Sequence, residues 1–118
     1  PGFFYQPTVL SNVPHSARIM QEEPFGPVAI INSFSDYNEV ITEANRLPYG
    51  LAAFAFTDSA KRVKLLGEQL EAGMIGINSF AISVPESPFG GIKESGHGSE
   101  EGIEGLEACM VTKLISEV

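Results

Sequence analysis

The sequence has few positively charged residues. It contains 7 Lys and Arg against 15 Asp and Glu, which gives a net charge of −8. Nucleic acids and anionic membrane surfaces both select proteins that present a basic face. We therefore predict that neither a nucleic acid nor a membrane is a partner of this chain.

Cysteine, histidine and long apolar runs are also scarce. The single cysteine, Cys109, permits no internal disulfide and fits a reducing compartment, so we expect a cytoplasmic protein. The 2 histidines, His15 and His97, have no partner at ligand spacing, and we predict no metal site. No apolar run approaches the ~20 residues that a membrane span requires. At 118 residues, the chain is long enough for one small domain.

Apolar runs alternate with helical patterns along the chain. Continuous apolar runs occur at residues 28–31, 51–56 and 74–77. Apolar residues at helical spacing separate these runs, at residues 36–47 and 60–70. Runs without polar alternation are typical of strands buried on both faces, as in a parallel sheet. The pattern predicts an α/β fold with a doubly wound parallel sheet.

Capping and breaking residues indicate where the two helices begin and end. Ser35 or Asp36 can cap the first helix, and Pro48 prevents its extension. Asp58 is the expected cap of the second helix, and Gly73 is its expected stop.

Weaker patterns flank this central region. We expect a strand within residues 3–13, short helices at 17–20 and 99–105, and a last strand-like segment at 107–118. Acidic residues cluster towards this end of the chain. We interpret them as a solvated loop and helix face: Glu94, Glu100, Glu101, Glu104 and Glu107.

No regular pattern is visible between Ser79 and Gly98, after the carboxyl end of the third run. Loops of this length are usually functional or disordered. Ligands of parallel sheets bind beyond the carboxyl ends of the strands, which favours function here. Asn78 stands at that end, and we interpret it as a structural cap ahead of a binding role. Lys93 is expected to brace the loop rather than to take part in chemistry.

A stiff acidic loop, Glu22–Pro27, precedes the first run. Its two prolines restrict the backbone, so Glu23 and Phe25 are expected to point in fixed directions. A carboxylate can accept hydrogen bonds from two ribose hydroxyls, and a phenyl ring offers an apolar face to a heteroaromatic ring. This combination fits a nucleotide cofactor. An acidic turn before a strand, with a core phenyl beneath it, is the alternative interpretation.

Four motifs, in order and covering nearly the whole chain, resemble the aldehyde dehydrogenase superfamily. They are Gln6-Pro7-Thr8-Val9, Glu22-Glu23-Pro24-Phe25-Gly26-Pro27-Val28, Tyr49-Gly50-Leu51-Ala52-Ala53 and Pro88-Phe89-Gly90-Gly91-Ile92-Lys93-Glu94-Ser95-Gly96. The branch that the loop most resembles is the succinate-semialdehyde dehydrogenases.

The resemblance implies that residues 1–106 are part of the catalytic domain and that residues 107–118 form a terminal strand for oligomerisation. In the family, these motifs belong to the C-terminal part, and the nucleophilic cysteine and general-base glutamate lie upstream. Cys109 does not match the nucleophile's context. The chain also starts at Pro1 without an initiator Met. We therefore expect a fragment of a larger enzyme, without a catalytic residue of its own.

The resemblance also implies roles for individual residues. Glu23 matches the glutamate that binds the ribose hydroxyls of NAD or NADP, and Phe25 matches the ring beside the nicotinamide. Phe89 matches an aromatic residue that lines the aldehyde tunnel, with packing of the glycine-rich loop as the alternative. Ser83 matches a serine that helps to hold the far carboxylate of succinate semialdehyde, with an ordinary loop serine as the alternative. The segment 84–87 departs from that branch, which leaves the exact aldehyde open.

The function expected from this resemblance is oxidation of a small aldehyde to a carboxylic acid with NAD(P)+. The intact enzyme is expected to be a homo-oligomer, either a dimer or a tetramer. The main alternative is a structural or interaction protein that keeps this fold without catalysis. A free-standing α/β binding domain is a third interpretation, and it would require the chain alone to melt cooperatively.

Overall fold

The computed structural model describes residues 2–118. The chain forms two compact units, which divide between Val40 and Ile41. The elements in chain order are β1 (Thr8–Ser11), a 3-10 helix (Arg18–Met20), β2 (Val28–Ile31), α1 (Tyr37–Ala44), β3 (Tyr49–Gly50), β4 (Ala52–Ala55), α2 (Ala60–Gln69), β5 (Met74–Ile77), β6 (Ile92–Lys93) and α3 (Gly102–Glu107). None of the helices within residues 2–118 has the length and apolar character needed to cross a bilayer.

The first unit is built on one parallel strand pair, β1 and β2, which begins with Thr8 opposite Val28. β2 coincides with the first predicted run, and β1 lies inside the range predicted for the N-terminal strand. Past the end of the ladder, the Asn32 side chain continues the pairing. Its Nδ2 donates to the Val13 carbonyl oxygen and its Oδ1 accepts from the Val13 N–H, both at 2.9 Å. The amide thereby satisfies two backbone groups that the ladder leaves unpaired.

The second unit contains a parallel pair of the same kind. β4 and β5 pair with Ala52 opposite Met74. The Asn78 amide then bonds to both backbone groups of Thr57, with Nδ2 to the carbonyl oxygen and Oδ1 from the N–H at 2.8 Å each. Asn78 has a φ of 56°, a left-handed conformation that Asn tolerates better than most residues. The structural interpretation of Asn78 is confirmed.

The predicted strands do not join in one ladder within the described residues. Three two-stranded sheets are present: β1 with β2, β4 with β5, and β3 antiparallel to β6. The α/β class and the parallel pairing are therefore observed, whereas residues 2–118 contain no ladder that links all three predicted runs. An apolar run indicates that a strand is to be buried on both faces. It does not indicate which strand lies beside it, and this is why the pairing could not be deduced.

The beginning of α1 agrees with prediction, but this helix ends at Ala44 rather than at the predicted residue 47, and the cap and the stop of α2 also differ. Asp36 caps α1, because its Oδ1 accepts from the N–H groups of Asn38 and Glu39 at 2.8 and 3.0 Å. The predicted cap of α2, Asp58, is wrong by one residue. The helix begins at Ala60, so the residue directly before it, Ser59, is the cap.

The predicted stop of α2 at Gly73 is also wrong. The helix ends at Gln69, and Leu70 already has an extended backbone. The Asn45 amide holds this end, with Nδ2 donating to the Gln69 carbonyl oxygen at 2.7 Å and Oδ1 accepting from the Glu71 N–H at 2.9 Å. Gly73 instead permits the close approach of the Gly90 backbone, because a Cβ at this position would overlap the Gly90 carbonyl oxygen.

The C-terminal boundary differs from the sequence prediction. α3 runs from Gly102 through Glu107, so the predicted terminal strand does not begin at residue 107. Residues 110–118 have no strand partner among the described residues, and their apolar side chains are exposed, with Val111 at 94% and Leu114 at 90%. A strand requires a second strand for its backbone groups. Pairing of this segment therefore stays a prediction.

Little apolar surface is buried within the described part of the chain. Met74, at 7% exposure, is its only buried apolar side chain. The Phe80 ring contacts those of Phe54 and Phe56, with centroids 5.2 and 5.3 Å apart, yet it remains 72% exposed. Apolar burial contributes about 25 cal/mol per Å² and is the main favourable term in folding. The described residues alone therefore bury too little apolar surface to account for a stable core.

We predict that replacement of Asn78 weakens the end of the β4–β5 pair. Asn78→Gly removes both bonds to Thr57 but tolerates the positive φ, and it should cost about 1–3 kcal/mol for two hydrogen bonds. Asn78→Ala should cost about 1 kcal/mol more because of the left-handed backbone. Hydrogen exchange at the Thr57 amide in the full-length protein measures the effect, which should be about tenfold or larger for Asn78→Gly. Asn12→Gly, at another position with positive φ, is the control. Unchanged exchange in both Asn78 variants would contradict this account.

Candidate functional site

The candidate cofactor residues lie on the loop of the first unit that leads into β2. Backbone hydrogen bonds shape this loop, from the Gly26 N–H to the Pro24 carbonyl oxygen at 2.7 Å and from the Val28 N–H to the Gly26 carbonyl oxygen at 2.8 Å. The Thr8 N–H donates to the Pro27 carbonyl oxygen at 2.9 Å and fastens the loop to β1. The sequence prediction of a stiffened loop agrees with this geometry.

The two glutamates of this loop have different surroundings. Glu22 forms an ion pair with Arg18, with 2.7 Å between Oε2 and Nε. The adjacent Glu23 carboxylate is exposed and accepts no hydrogen bond from the described residues. Both of its oxygens are therefore available to an external donor. A vicinal pair of hydroxyl groups, such as those of a ribose, has the donors to occupy them.

Phe25 presents its ring to the outside of the same unit. Its side chain is 94% exposed, so it is not packed as a core phenyl among the described residues. An open carboxylate and an open ring thus stand two positions apart on a rigid loop. The carboxylate acceptor fits the hydroxyl groups of a sugar and the phenyl ring fits an aromatic ring, so these residues could form one side of a dinucleotide cofactor's site.

In the second unit, the glycine-rich segment is held by Lys93. The Lys93 Nζ donates to the carbonyl oxygens of Asn45 and Leu47 at 3.0 and 3.1 Å, and it forms an ion pair with Glu71. The side chain is 24% exposed and therefore partly shielded from water. Cations stabilise the carbonyl end of a helix, which α1 presents here. The expectation that Lys93 braces the loop is confirmed.

Ser95 and the glycines complete this attachment. The Ser95 Oγ accepts from the Gly50 N–H at 2.9 Å, next to the short β3–β6 pair. A Cβ on Gly91 would come within 2.7 Å of the Ser95 Cβ, so only glycine permits this approach. The glycine-rich segment is thus a fixed part of the second unit.

Phe89 is half-buried and lies against the start of the acidic segment. Its backbone exchanges two hydrogen bonds with Glu100, each at 2.7 Å. Its side chain helps to line an open cleft of about 190 Å³, together with Leu51 and the 90–91 and 95–100 segments. This position is compatible with both interpretations of Phe89, a tunnel wall and packing of the loop.

Ser83 is exposed and has one partner among the described side chains. Its Oγ donates to the two carboxylate oxygens of Glu101, at 3.3 and 3.4 Å. Glu101 has φ 57° and ψ 178°, a region that is populated almost only by glycine. Glu101 is exposed, as expected for the solvated acidic loop and helix face, and only its contact with Ser83 and its backbone conformation were not predicted. No sequence signal marked it, because backbone strain cannot be read from a glutamate in an acidic run.

The four predicted site residues fall in two places. Glu23 and Phe25 share the loop of the first unit, and Ser83 and Phe89 belong to the second. The consecutive residues Glu100 and Glu101 contact Phe89 and Ser83 respectively, so the acidic segment links the two substrate-side candidates. Within residues 2–118, no group of three or more His, Cys, Asp or Glu could hold a metal ion.

Comparison with known proteins identifies the family. The sequence profile described as "Aldehyde dehydrogenase family" matches residues 1–115. The chain is 50% identical over 117 residues to the 4-(hydroxymethyl)benzenesulfonate dehydrogenase TsaD1 of Comamonas testosteroni, covering 99% of this chain and 25% of that protein. It is 45% identical to a succinate-semialdehyde dehydrogenase of Paenarthrobacter nicotinovorans, covering 98% and 26%.

Solved structures agree. A Mycobacterium tuberculosis aldehyde dehydrogenase complexed with NAD+ superposes with a TM-score of 0.83 at 43% identity, covering 91% of this chain and 22% of that one. The chain thus spans about a quarter of the length of the relatives that it matches. With both sequence and fold in agreement, the chain belongs to the aldehyde dehydrogenase family.

Proposed function

We propose that this chain is the C-terminal part of an NAD(P)-dependent aldehyde dehydrogenase, an enzyme that oxidises an aldehyde to a carboxylic acid. The observation that carries the proposal is the rigid loop with an open carboxylate and an open ring, in a chain of this family. The nucleophilic cysteine and the general base would come from residues outside this chain. The 118 residues would bind and orient the reactants without breaking a bond themselves.

On the cofactor side, Glu23 would accept hydrogen bonds from the ribose hydroxyls next to the nicotinamide. Phe25 would lie beside the nicotinamide ring. NAD(P)+, when bound, supplies the acceptor for the hydride that leaves the substrate. The chain's own contribution is orientation, since holding two reactants in the reacting geometry can lower a barrier by several kcal/mol.

On the substrate side, we propose an aldehyde with an anionic group at its far end. Two relatives support this choice, because their names specify a benzenesulfonate and succinate semialdehyde. The Ser83 hydroxyl would donate to that group, and Phe89 would form part of the tunnel wall. Succinate semialdehyde is the simplest candidate substrate for this arrangement.

The remaining assignments concern the whole enzyme. We propose that residues 1–106 complete a doubly wound parallel sheet in the catalytic domain of a cytoplasmic homo-oligomer, and that the segment after α3 is a strand added to another sheet. Val111 and Leu114, 94% and 90% exposed, are too apolar for a solvated tail. Gel filtration of the full-length protein with and without residues 108–118 tests this. An unchanged oligomer after deletion would contradict it.

The full-length protein should reduce NAD+ or NADP+ in the presence of an aldehyde, as followed by the absorbance of the reduced nicotinamide. The 118-residue chain alone should be inactive with every aldehyde, because it would lack nucleophile and base. A full-length protein that is well folded but inactive would favour the alternative, a structural protein of the same fold. Turnover by the purified chain alone would overturn the proposed division of roles.

In the full-length enzyme, Glu23→Gln should weaken cofactor binding and slow hydride transfer. The amide keeps the size but loses the charge, and each bond to a ribose hydroxyl should weaken by about 1–2 kcal/mol. Rapid-mixing measurement of cofactor reduction and calorimetric measurement of cofactor affinity follow the two effects. Glu22→Gln is the matched control, since the Glu22 carboxylate already pairs with Arg18. Equal behaviour of both variants would exclude the ribose role of Glu23.

Ser83→Ala should penalise succinate semialdehyde more than butanal, which lacks the far carboxylate. KM should rise more than kcat falls, because this contact is similar in the ground and transition states. A hydrogen bond to a charged group contributes about 1.5–3 kcal/mol, which is the upper limit of the effect. Ser87→Ala, in the same loop, is the control. A penalty of equal size for both aldehydes would show that Ser83 does not contact the carboxylate.

A further inference from the structure

The Ser83 hydroxyl is already engaged by another residue of this chain. Its Oγ is 3.3 and 3.4 Å from the two oxygens of the Glu101 carboxylate and donates to them. A hydroxyl has one proton to donate. A substrate carboxylate could therefore receive that proton only if Glu101 gave it up. The contact has a direct consequence for the aldehyde that the site prefers.

The position of Glu101 is enforced by its neighbours along the chain. On one side, Glu100 exchanges two backbone hydrogen bonds with Phe89, each at 2.7 Å. On the other side, the Gly102 N–H donates to the Pro85 carbonyl oxygen at 3.0 Å. These bonds hold Glu101 at φ 57°, a conformation that glutamate rarely adopts, and tie it to the loop that carries Ser83. The backbone of Glu101 is thus kept next to the loop that carries Ser83, within reach of its hydroxyl.

A substrate carboxylate at Ser83 would also meet the Glu101 charge. With one hydroxyl between them, the two carboxylates would lie about 6 Å apart. At that distance, like charges repel by an energy that corresponds to about threefold in affinity at the dielectric constant of water and about a hundredfold at an effective value of ~20. The Ser83 and Glu101 side chains are exposed, so salt screens this repulsion and the lower part of the range of affinity changes applies.

We propose that Glu101 is a specificity-determining residue, which competes with the substrate's far carboxylate for the Ser83 hydroxyl and repels it. The inference rests on the proposed function, in which Ser83 is the donor to that group. Glu101 lowers the preference of the enzyme for succinate semialdehyde over an uncharged aldehyde of the same length. The preference for an anionic far end that Ser83 provides is therefore smaller than it would be without Glu101.

The experiment compares Glu101→Gln and Glu101→Gly in the full-length protein with the unaltered enzyme. Glu101→Gln removes the charge, and Glu101→Gly removes the side chain while it suits the positive φ. Glu107→Gln removes an equal charge from α3 and is the matched control. The readout is the ratio of kcat/KM for succinate semialdehyde to that for butanal, with KM and kcat measured separately. Both Glu101 variants should raise this ratio about threefold or more, mainly through KM.

Two further measurements separate this inference from the proposed function. In the Ser83→Ala background, the gain from Glu101→Gln should shrink, because competition for the hydroxyl is gone. Calorimetry of succinate and butyrate binding needs no turnover, and the Glu101 variants should bind succinate more tightly relative to butyrate. An unchanged succinate-to-butyrate ratio in both variants overturns the role of Glu101, whether or not the enzyme is active. A changed ratio in an inactive protein supports Glu101 and counts against the proposed reaction.

Discussion

The Lys93 ammonium group is the contact on which the arrangement of the glycine-rich segment depends. It joins three separate parts of the second unit, because its partners are the end of α1, at Asn45 and Leu47, and Glu71 in the turn before β5. Lys93 itself has φ 56°, so the backbone turns at the point where the side chain reaches inward. Burying an ammonium group is costly unless it is bonded, and here two carbonyl oxygens and a carboxylate satisfy it. Lys93 thus anchors the beginning of the segment, and the bond from the Gly50 N–H to Ser95 holds the part that follows.

Asparagine side chains also bond to backbone groups at the ends of the strand pairs. Asn32 bonds to both backbone groups of Val13, and Asn78 bonds to both backbone groups of Thr57, just after the end of the paired strand. Each side chain takes the place of one more residue in the ladder. Asn45 bonds in the same two-sided way across the end of α2. An amide can imitate a peptide group because it has one acceptor and a suitable donor side by side. Each of these three side chains thereby pairs two backbone groups next to the end of a regular element.

Strands and helix ends could be predicted from the sequence where one local feature, such as an apolar run or a capping side chain, marked them. The runs that became β2 and β5 were bounded on both sides by Pro27, Asn32, Gly73 and Asn78, and their limits were found. Asp36 was identifiable as a cap from its type and place. Ser59 was missed because Asp58 and Ser59 are consecutive and both residue types can cap a helix. Which of them is the cap depends on the residue at which the helix begins.

Features that depend on contacts between distant residues could not be read from the sequence. Strand pairing belongs to this class, since nothing in the sequence indicated that β2 pairs with β1. The partner of Ser83 belongs to it too, because Glu101 is 18 residues away and looked like part of a solvated face. Glu23 and Phe25 were identifiable as candidates because their loop is local and its stiffness comes from adjacent prolines. A constraint between neighbouring residues can be recognised in a short segment of sequence, whereas a contact between distant residues cannot.

Under the proposed roles, Glu23 in the first unit and Ser83 in the second differ in whether another residue of the chain already contacts them. At the cofactor side, Glu22 is engaged by Arg18 and leaves Glu23 open, so a ribose would meet an acceptor that need not give up a partner. At the substrate side, the Ser83 hydroxyl already has a partner, and a carboxylate would have to replace one charge-assisted bond by another. A bond from Ser83 to a substrate carboxylate would contribute only its excess over the long contacts to Glu101, and the exposed Glu23 carboxylate would likewise exchange bonds to water for bonds to a ribose. Under the proposed roles, the Ser83 hydroxyl would thus have to leave a protein partner to bind an aldehyde's carboxylate, whereas Glu23 would not have to do so to bind a ribose.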